Sequence, residues 1–399
     1  MELLFMSNLF PRETKAEIQS KMRFNMYDAA DVLQWNLIDG LESNGAELSL
    51  INLLPVDSWP RYYSEPFVKR FLFSHKNGAQ DISIGYCNIQ YIKRIFLKRK
   101  YVSQAKKWER ITAEKDSRTV IAYSLNSAFI AGIKKIKRRD PTVKAVAVVA
   151  DLPEFSAPSG NLIRKIYKNY LNRKIQKDLG VFDGFVLLTE HMAERMKIGV
   201  PYVVMEGIAG TFAPVELVQK KQKTIFYAGS MNVKYGITVL LDAFSMIKDP
   251  DMRLVLCGLG DAQPMVEAKA RKDSRIAYLG KVSHERVLQL QQEATVLVNP
   301  RQNNEEFTRY SFPSKTMEYL ASGVPVVAYK LDGIPNEYDT FLNYVENDSP
   351  EALAATLVKI CEMDAVARDE MGKRGAEFVR SNKNAAVQTR KIMTFITSL

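Results

Sequence analysis

The chain has 399 residues, 46% hydrophobic and 25% charged, a balance that supplies sizeable buried cores and excludes wholesale disorder. No run of about 18 apolar residues occurs, so no membrane-spanning helix is expected, and three scattered cysteines with three histidines exclude a Cys/His zinc cluster. The net charge is +11, yet Tyr91 to Gly180 alone carries 22 Lys/Arg against 7 Asp/Glu, which leaves the remainder of the chain at −4. Such a local excess points to one anionic partner surface.

The opening MELLFMSNLFPRETK lacks a basic leader segment and a small-residue cleavage site, so no secretory signal is expected. Cys87, Cys257 and Cys361 lie far apart, which suits a reducing cytoplasm. From Glu2, ELLFMSN reads as a buried strand. Asp28 to Asn44 has helical periodicity and leads into strand ELSLINLLP. Beyond a polar stretch, DISIGYCNI precedes a basic segment. Strand TVIAYS (from Thr119), helix Ser127–Ile136, strand KAVAVVADLP (from Lys144) and a second basic helix follow. Strand FVLLT (from Phe185), helix EHMAERM and strand YVVMEG (from Tyr202) complete the first half. Continuous apolar strands alternating with amphipathic helices predict a parallel sheet covered on both faces.

Ala213 to Lys223 is polar and lysine-rich and reads as a linker. A second alternation then begins with TIFYAGS, MRLVLCGLG, RIAYLGK, TVLVNP and VPVVAYK, each followed by a helix. The fold class expected is therefore α/β, with two Rossmann-like domains facing across a cleft: 1–212, a linker at 213–223, and 224–380. A C-terminal helix at 381–399 is expected to return towards the first domain. Ligands of such sheets bind at the carboxyl ends of the strands.

The most informative segment is YSFPSKTMEYLASGVPVVAYK, from Tyr310. Pro313 suits a first helical turn, with Ser314 and Lys315 at the helix start and Gly323 and Pro325 ending it. A helix start offers unpaired N–H groups and a positive dipole end to an anion, and Lys315 adds a full charge. Glu318 follows one turn later on nearly the same face, placed to accept from ribose hydroxyls as acidic residues do in dinucleotide sites. The plain alternative is a surface helix with an ordinary Lys–Glu pair. IFYAGSMNVKYG (Ile225 to Gly236) offers Gly229, Ser230 and Lys234 in a turn where a backbone could approach phosphate, without the spacing of a P-loop or of G-x-G-x-x-G. LVLCGLGD (Leu254 to Asp261) is a third strand running into a glycine turn.

In this order, AGS…KYG…LLDAF, LVLCGLGD, IAYLGKVSHERVLQLQQEATVLVNP and FPSKTMEYLASGVPVVA resemble the C-terminal domain of family-4-type glycosyltransferases of the GT-B fold. The resemblance is good over Thr224 to Val345 and fainter before it, and FPSK…EYLASG looks most like the subgroup that builds bacterial capsular and exopolysaccharides. It implies that Glu318 holds the donor ribose, that Ser314 and Lys315 meet the diphosphate, and that Gly229 belongs to the first phosphate loop. The chain departs from the family pattern too. Tyr310 stands where the first glutamate of the Glu-x7-Glu motif would be, with Asn303, Glu305 and Glu306 as alternative donor-sugar contacts. Ser230 replaces an arginine, and Tyr235 takes a lysine position with Lys234 one residue early. Ala150 stands where many relatives have histidine, with Asp151 next.

The expected function is retaining transfer of a hexose from a nucleotide diphosphate sugar, most simply a UDP-sugar, to a lipid-linked glycan acceptor in cell-surface polysaccharide synthesis. Lys315 would neutralise the leaving phosphate, and Asp151 would orient the acceptor hydroxyl. No cofactor or metal is expected, because protein cations and a helix dipole can stabilise the leaving phosphate without Mg²⁺. Same-fold alternatives are a nucleotide-sugar epimerase or hydrolase; a different class is a non-catalytic nucleotide-sugar sensor or partner subunit. The basic segments from Ile89, Ile133 and Asn161 suit adsorption to an anionic bilayer at the cytoplasmic membrane face. They also suit core-facing helices with solvated basic sides. In the third of them, Leu162, Ile163, Ile166, Tyr167, Tyr170, Leu171 and Ile175 form the expected core stripe. No nucleic-acid partner is expected, since no RRM, KH or zinc signature appears. His75, His191 and His284 read as packing or surface residues.

Overall fold

The computed structural model describes residues 1–23, 28–90, 92–152, 154, 162–210 and 223–399. They form two compact units, Met1–Ile208 with Ala385–Leu399, and Ala209–Asn384. The expected break at 212 therefore falls at 208, and the expected linker, save Lys223, lies outside the described residues. The second unit runs to Asn384, not 380: helix Ala365–Asn382 stays with it, and only helix Ala385–Ser398 joins the first.

In the first unit an eight-stranded sheet runs in the order Tyr202–Val204, Gly184–Leu187, Lys144–Val149, Arg118–Tyr123, Glu2–Ser7, Glu47–Asn52, Asp81–Ser83, Phe71–Phe73. All neighbours are parallel except the last pair. Leu3, Leu4, Phe5 and Met6 are fully buried, as a strand covered on both faces requires. The antiparallel edge strand Phe71–Phe73 was not foreseen, because it lies in a polar stretch without helical or strand periodicity. The last helix packs on helix Asp28–Ser43. Gly40 permits this approach, since a Cβ there would lie 2.5 Å from the Ala385 carbonyl oxygen. Asn44 Nδ2 donates to the Ala386 carbonyl at 2.8 Å and to Thr389 Oγ1 at 2.9 Å.

The second unit holds a six-stranded, all-parallel sheet in the order Ile276–Tyr278, Met252–Cys257, Lys223–Ala228, Val296–Asn299, Val326–Ala328, Leu342–Tyr344. Strand order reverses between Lys223–Ala228 and Val296–Asn299, so their carboxyl ends mark the topological switch where α/β ligands bind. Helix Ile237–Met246 begins at Gly236, whose φ is +82°. A Cβ there would fall 1.9 Å from the Pro300 carbonyl oxygen, so only glycine lets the two strand-end loops meet.

Candidate nucleotide-sugar site

The sequence-predicted residues Gly229, Ser230, Lys315 and Glu318 come together at this switch. Strand Lys223–Ala228 runs directly into Gly229, whose N–H donates to the Cys257 carbonyl at 2.9 Å. Gly258, at φ +134°, presses against it: a Cβ on Gly258 would lie 1.7 Å from the Gly229 carbonyl oxygen. Met231 N–H donates to the Leu259 carbonyl at 3.0 Å, and Ala262 N–H to the Met231 carbonyl at 2.8 Å. The two glycine turns are thus zipped together. Ser230 accepts from Asn232 Nδ2 at its hydroxyl (2.8 Å) and from the Tyr227 hydroxyl at its carbonyl (3.0 Å).

Helix Lys315–Ala321 starts beside this turn. Ser314 precedes it in helical conformation, is exposed and makes no side-chain cap. The helix is stapled to the strand by Tyr319, fully buried, whose hydroxyl accepts from Ala228 N–H at 2.9 Å and donates to the Ala228 carbonyl at 3.1 Å. That staple brings Lys315 Cε within 3.1 Å of where a Gly229 Cβ would be. Lys315 Nζ lies 3.8 Å from Glu318 Oε1, and Gln291 Nε2 donates to the same oxygen at 2.6 Å. Gln291 is fully buried on helix His284–Glu293, and its own Oε1 has no partner. It orients the carboxylate, and no sequence signal marks it, since it reads as one more polar residue of an amphipathic helix.

Lys234 stands apart from the carboxylate. Its ammonium lies over the Tyr235 and Phe307 rings, 5.1 and 5.3 Å from the centroids. Arg301, which sequence reasoning passed over, shares those two rings. Asn303 is spent on structure: Nδ2 donates to the Lys330 carbonyl (3.0 Å) and Asp332 Oδ1 (3.2 Å), while Oδ1 accepts from Asp332 N–H and the Thr308 hydroxyl. Glu305 and Glu306 are exposed at the start of the short helix Glu306–Tyr310. Cys257, buried beneath the turns, has its thiol pushed up to about 11 by burial and is no nucleophile.

In the first unit Asp151 follows strand Lys144–Val149 and is accessible, yet the surrounding protein desolvates its carboxyl and holds it above the usual carboxylate range. The buried Tyr123 is an electrostatic neighbour, and its hydroxyl has no hydrogen-bond partner. His75, unremarkable in the sequence, is buried between Asp81 (Nδ1 to Oδ2, 2.5 Å) and Glu42 (Nε2 to Oε1, 2.9 Å). Among the described residues no helix is long and apolar enough to cross a membrane, and no cluster of three His, Cys, Asp or Glu is spaced to hold a metal.

Residues 222–363 match the family described as Glycosyl transferases group 1. A curated relative, the D-inositol 3-phosphate glycosyltransferase of Corynebacterium efficiens, is 27% identical over 183 residues, 42% of this chain and 41% of that protein, so the match spans well under half of the relative's length. Among solved structures, sucrose-phosphate synthase from Thermosynechococcus elongatus superposes with a TM-score of 0.65 at 16% identity, covering 100% of this chain and 99% of that one. The lipopolysaccharide outer core galactosyltransferase WaaB (TM-score 0.64, 12% identity) covers 100% and 99% likewise, as does the trehalose-6-phosphate synthase OtsA (0.64, 12%). The chain has the GT-B fold of these proteins, and the part of it that matches the glycosyl transferases group 1 model falls within the second unit's span, residues 222–363.

Proposed function

We propose that the protein is a retaining glycosyltransferase that moves a hexose from a nucleotide diphosphate sugar to a glycan acceptor. The observation that carries this reading is the convergence of a glycine turn, Lys315 and Glu318 at the switch of the second sheet, each held by a dedicated partner. Cleaving the sugar–phosphate bond develops negative charge on the leaving diphosphate. Lys315 is placed to stabilise it, and losing one such preorganised group typically lowers the rate about 10²–10³-fold. Glu318, with one oxygen already satisfied by Gln291, has its second oxygen for the ribose hydroxyls. Asp151, whose raised carboxyl keeps a proton more readily, is the candidate to orient the acceptor hydroxyl.

An acceptor linked to lipid, in cell-surface polysaccharide assembly, fits the surface of the first unit. Helix Lys93–Ile111 buries Leu97, Tyr101, Ala105 and Trp108 and turns Ile92, Ile95 and Phe96 outwards at its start, each at least 45% exposed. Arg94, Arg99 and Lys100 ring that apolar wedge, also exposed. Lys98 is held below its usual pKa by burial and by its cationic neighbours Lys174, Arg94 and Lys134, against the opposing pull of Asp178, so basic side chains of three helices converge around one carboxylate. Tyr170, expected on a core stripe, is instead 59% exposed, and the side chains of Leu162, Ile163, Ile166, Tyr167 and Leu171 lie outside the described residues. Apolar wedge and cations together suit an anionic bilayer.

The test is thermal-shift screening against nucleoside diphosphates and their sugars, then turnover with membrane extract and the anomeric configuration of the product by NMR. Lys315→Ala and Glu318→Ala should each lose the shift and keep the fold. Failure of every nucleotide sugar to shift the melting would refute the reading. Binding without transfer would favour a nucleotide-sugar sensor, and acceptor-independent product an epimerase or hydrolase.

A further inference from the structure

One end of the first unit's sheet is an open edge beside a helix. Among the described residues, strand Tyr202–Val204 pairs only with Gly184–Leu187. In a parallel ladder the backbone groups of successive residues alternate between the two sides of a strand. Phe185 N–H donates to the Pro201 carbonyl at 3.1 Å and Met205 N–H to the Leu187 carbonyl at 2.8 Å, so residues 201, 203 and 205 face inwards. The N–H and C=O groups of Tyr202 and Val204 face outwards and pair with no described residue. The strand itself carries no charge, and the proline before it has inward parity, so neither of these common devices blunts the edge.

Helix Ala385–Ser398 packs beside this strand. Its residues Val387, Arg390, Lys391, Thr394, Phe395 and Ser398 recur at spacings of three and four, one stripe of the helix, and with Val203 they line a groove of about 520 Å³. The floor is apolar. Gly184 leaves room for Phe395 on the sheet, since a Cβ there would lie 2.6 Å from the Phe395 Cζ. The rim is cationic: Arg390 and Lys391 are both exposed. Among the described residues no acid lines the groove and neither cation is ion-paired; Arg390 Nε donates to the neutral Asn44 Oδ1 at 3.3 Å.

Each feature restricts the occupant. An open strand edge is satisfied by an extended backbone, which a helix or a bilayer does not offer. Every second side chain of an added strand would lie on the helix side. There Val203, Val387 and Phe395 suit apolar groups, and Arg390 and Lys391 suit carboxylates. A second copy pairing edge to edge would bring these cations against their own counterparts. We propose that the groove receives an extended acidic segment of a partner protein, added to the sheet as a ninth strand whose alternate residues, apolar and acidic, face the helix. None of the residues assigned to donor or acceptor takes part, so the proposal stands independently of the glycosyltransferase reading.

Selection by the full chain from a displayed library of seven-residue peptides tests it, with serine at the odd positions and random residues at the even ones. Enrichment of Asp or Glu at one even position and of Val, Ile, Leu or Phe at the others is expected. Fluorescence anisotropy of the selected peptide then reads the affinity. Arg390→Glu with Lys391→Glu, both exposed, should weaken it about 10–100-fold. Thr394→Trp, which fills the groove from an exposed position, should act in the same direction. N-methylation of alternate peptide residues should abolish binding in one parity and spare it in the other, as strand addition requires. No enrichment, unchanged affinity in either variant, or equal loss in both parities would overturn the proposal. So would a wild-type dimer, or adsorption to phosphatidylglycerol vesicles, that the double variant loses, because the cations would then serve a second copy or a bilayer.

Discussion

Tyr319 offers the sharpest test of how the fold builds the site. Its hydroxyl is the shared partner of the Ala228 N–H and carbonyl, and it lies in a fully buried position. Tyr319→Phe keeps the ring and its packing and deletes only the oxygen, leaving a donor and an acceptor at the end of a central strand unpaired. Each such orphan costs about 1–3 kcal/mol, and the pair should cost about 2–4 kcal/mol after local relaxation. For a unit of this size that corresponds to a fall of about 5–15 °C in Tm. Urea unfolding followed by circular dichroism should show a lower midpoint at unchanged slope. Helix Lys315–Ala321 loses its tie to the glycine turn, so affinity for the diphosphate should drop along with stability. A loss below about 0.5 kcal/mol would show that the staple does not hold the helix, because surface-like substitutions already reach that size.

Three further outcomes follow from the geometry. Gly258→Ala would place a methyl 1.7 Å from the Gly229 carbonyl oxygen at φ +134°; a loss of about 3 kcal/mol in denaturant unfolding is expected, and a neutral effect would refute the zipped-turn account. The carboxylates of Asp81 and Glu42 outweigh the burial that disfavours charge on His75, so its folded pKa is raised. The stability this contributes is fully present below the ordinary histidine pKa of about 6.5 and is lost as pH rises through the folded value. His75→Gln should therefore cost more at pH 6 than at pH 9 in paired urea titrations, and a pH-independent cost would contradict the assignment. Ile95→Glu with Phe96→Glu should weaken co-sedimentation with phosphatidylglycerol vesicles about 10–100-fold; unchanged partitioning would remove the membrane reading.

The local pattern of the chain already determined a good deal. Continuous apolar strands such as Leu3 to Met6 and Ile225 to Ala228 can be satisfied only between two helix layers, so parallel α/β architecture was legible from periodicity. Gly229, Lys315 and Glu318 were legible because each belongs to a short segment whose spacing carries its own chemistry: a turn after a strand, and a helix start with a carboxylate one turn on. The supports of that chemistry were not. Gln291 reaches Glu318 across 27 residues and Tyr319 reaches Ala228 across 91, and neither pairing leaves a trace in composition. Arg301 looked like an ordinary loop cation, and Tyr170 like a core residue. Only the tertiary structure decided that one is buried with no counterion among the described residues and the other exposed, because burial depends on which elements the topology stacks together. The same holds for the last helix, whose place beside Asp28–Ser43 rests on the absence of a Cβ at Gly40. Periodicity is a property of neighbours in sequence, whereas an unpaired charge or a close backbone approach exists only once distant segments meet.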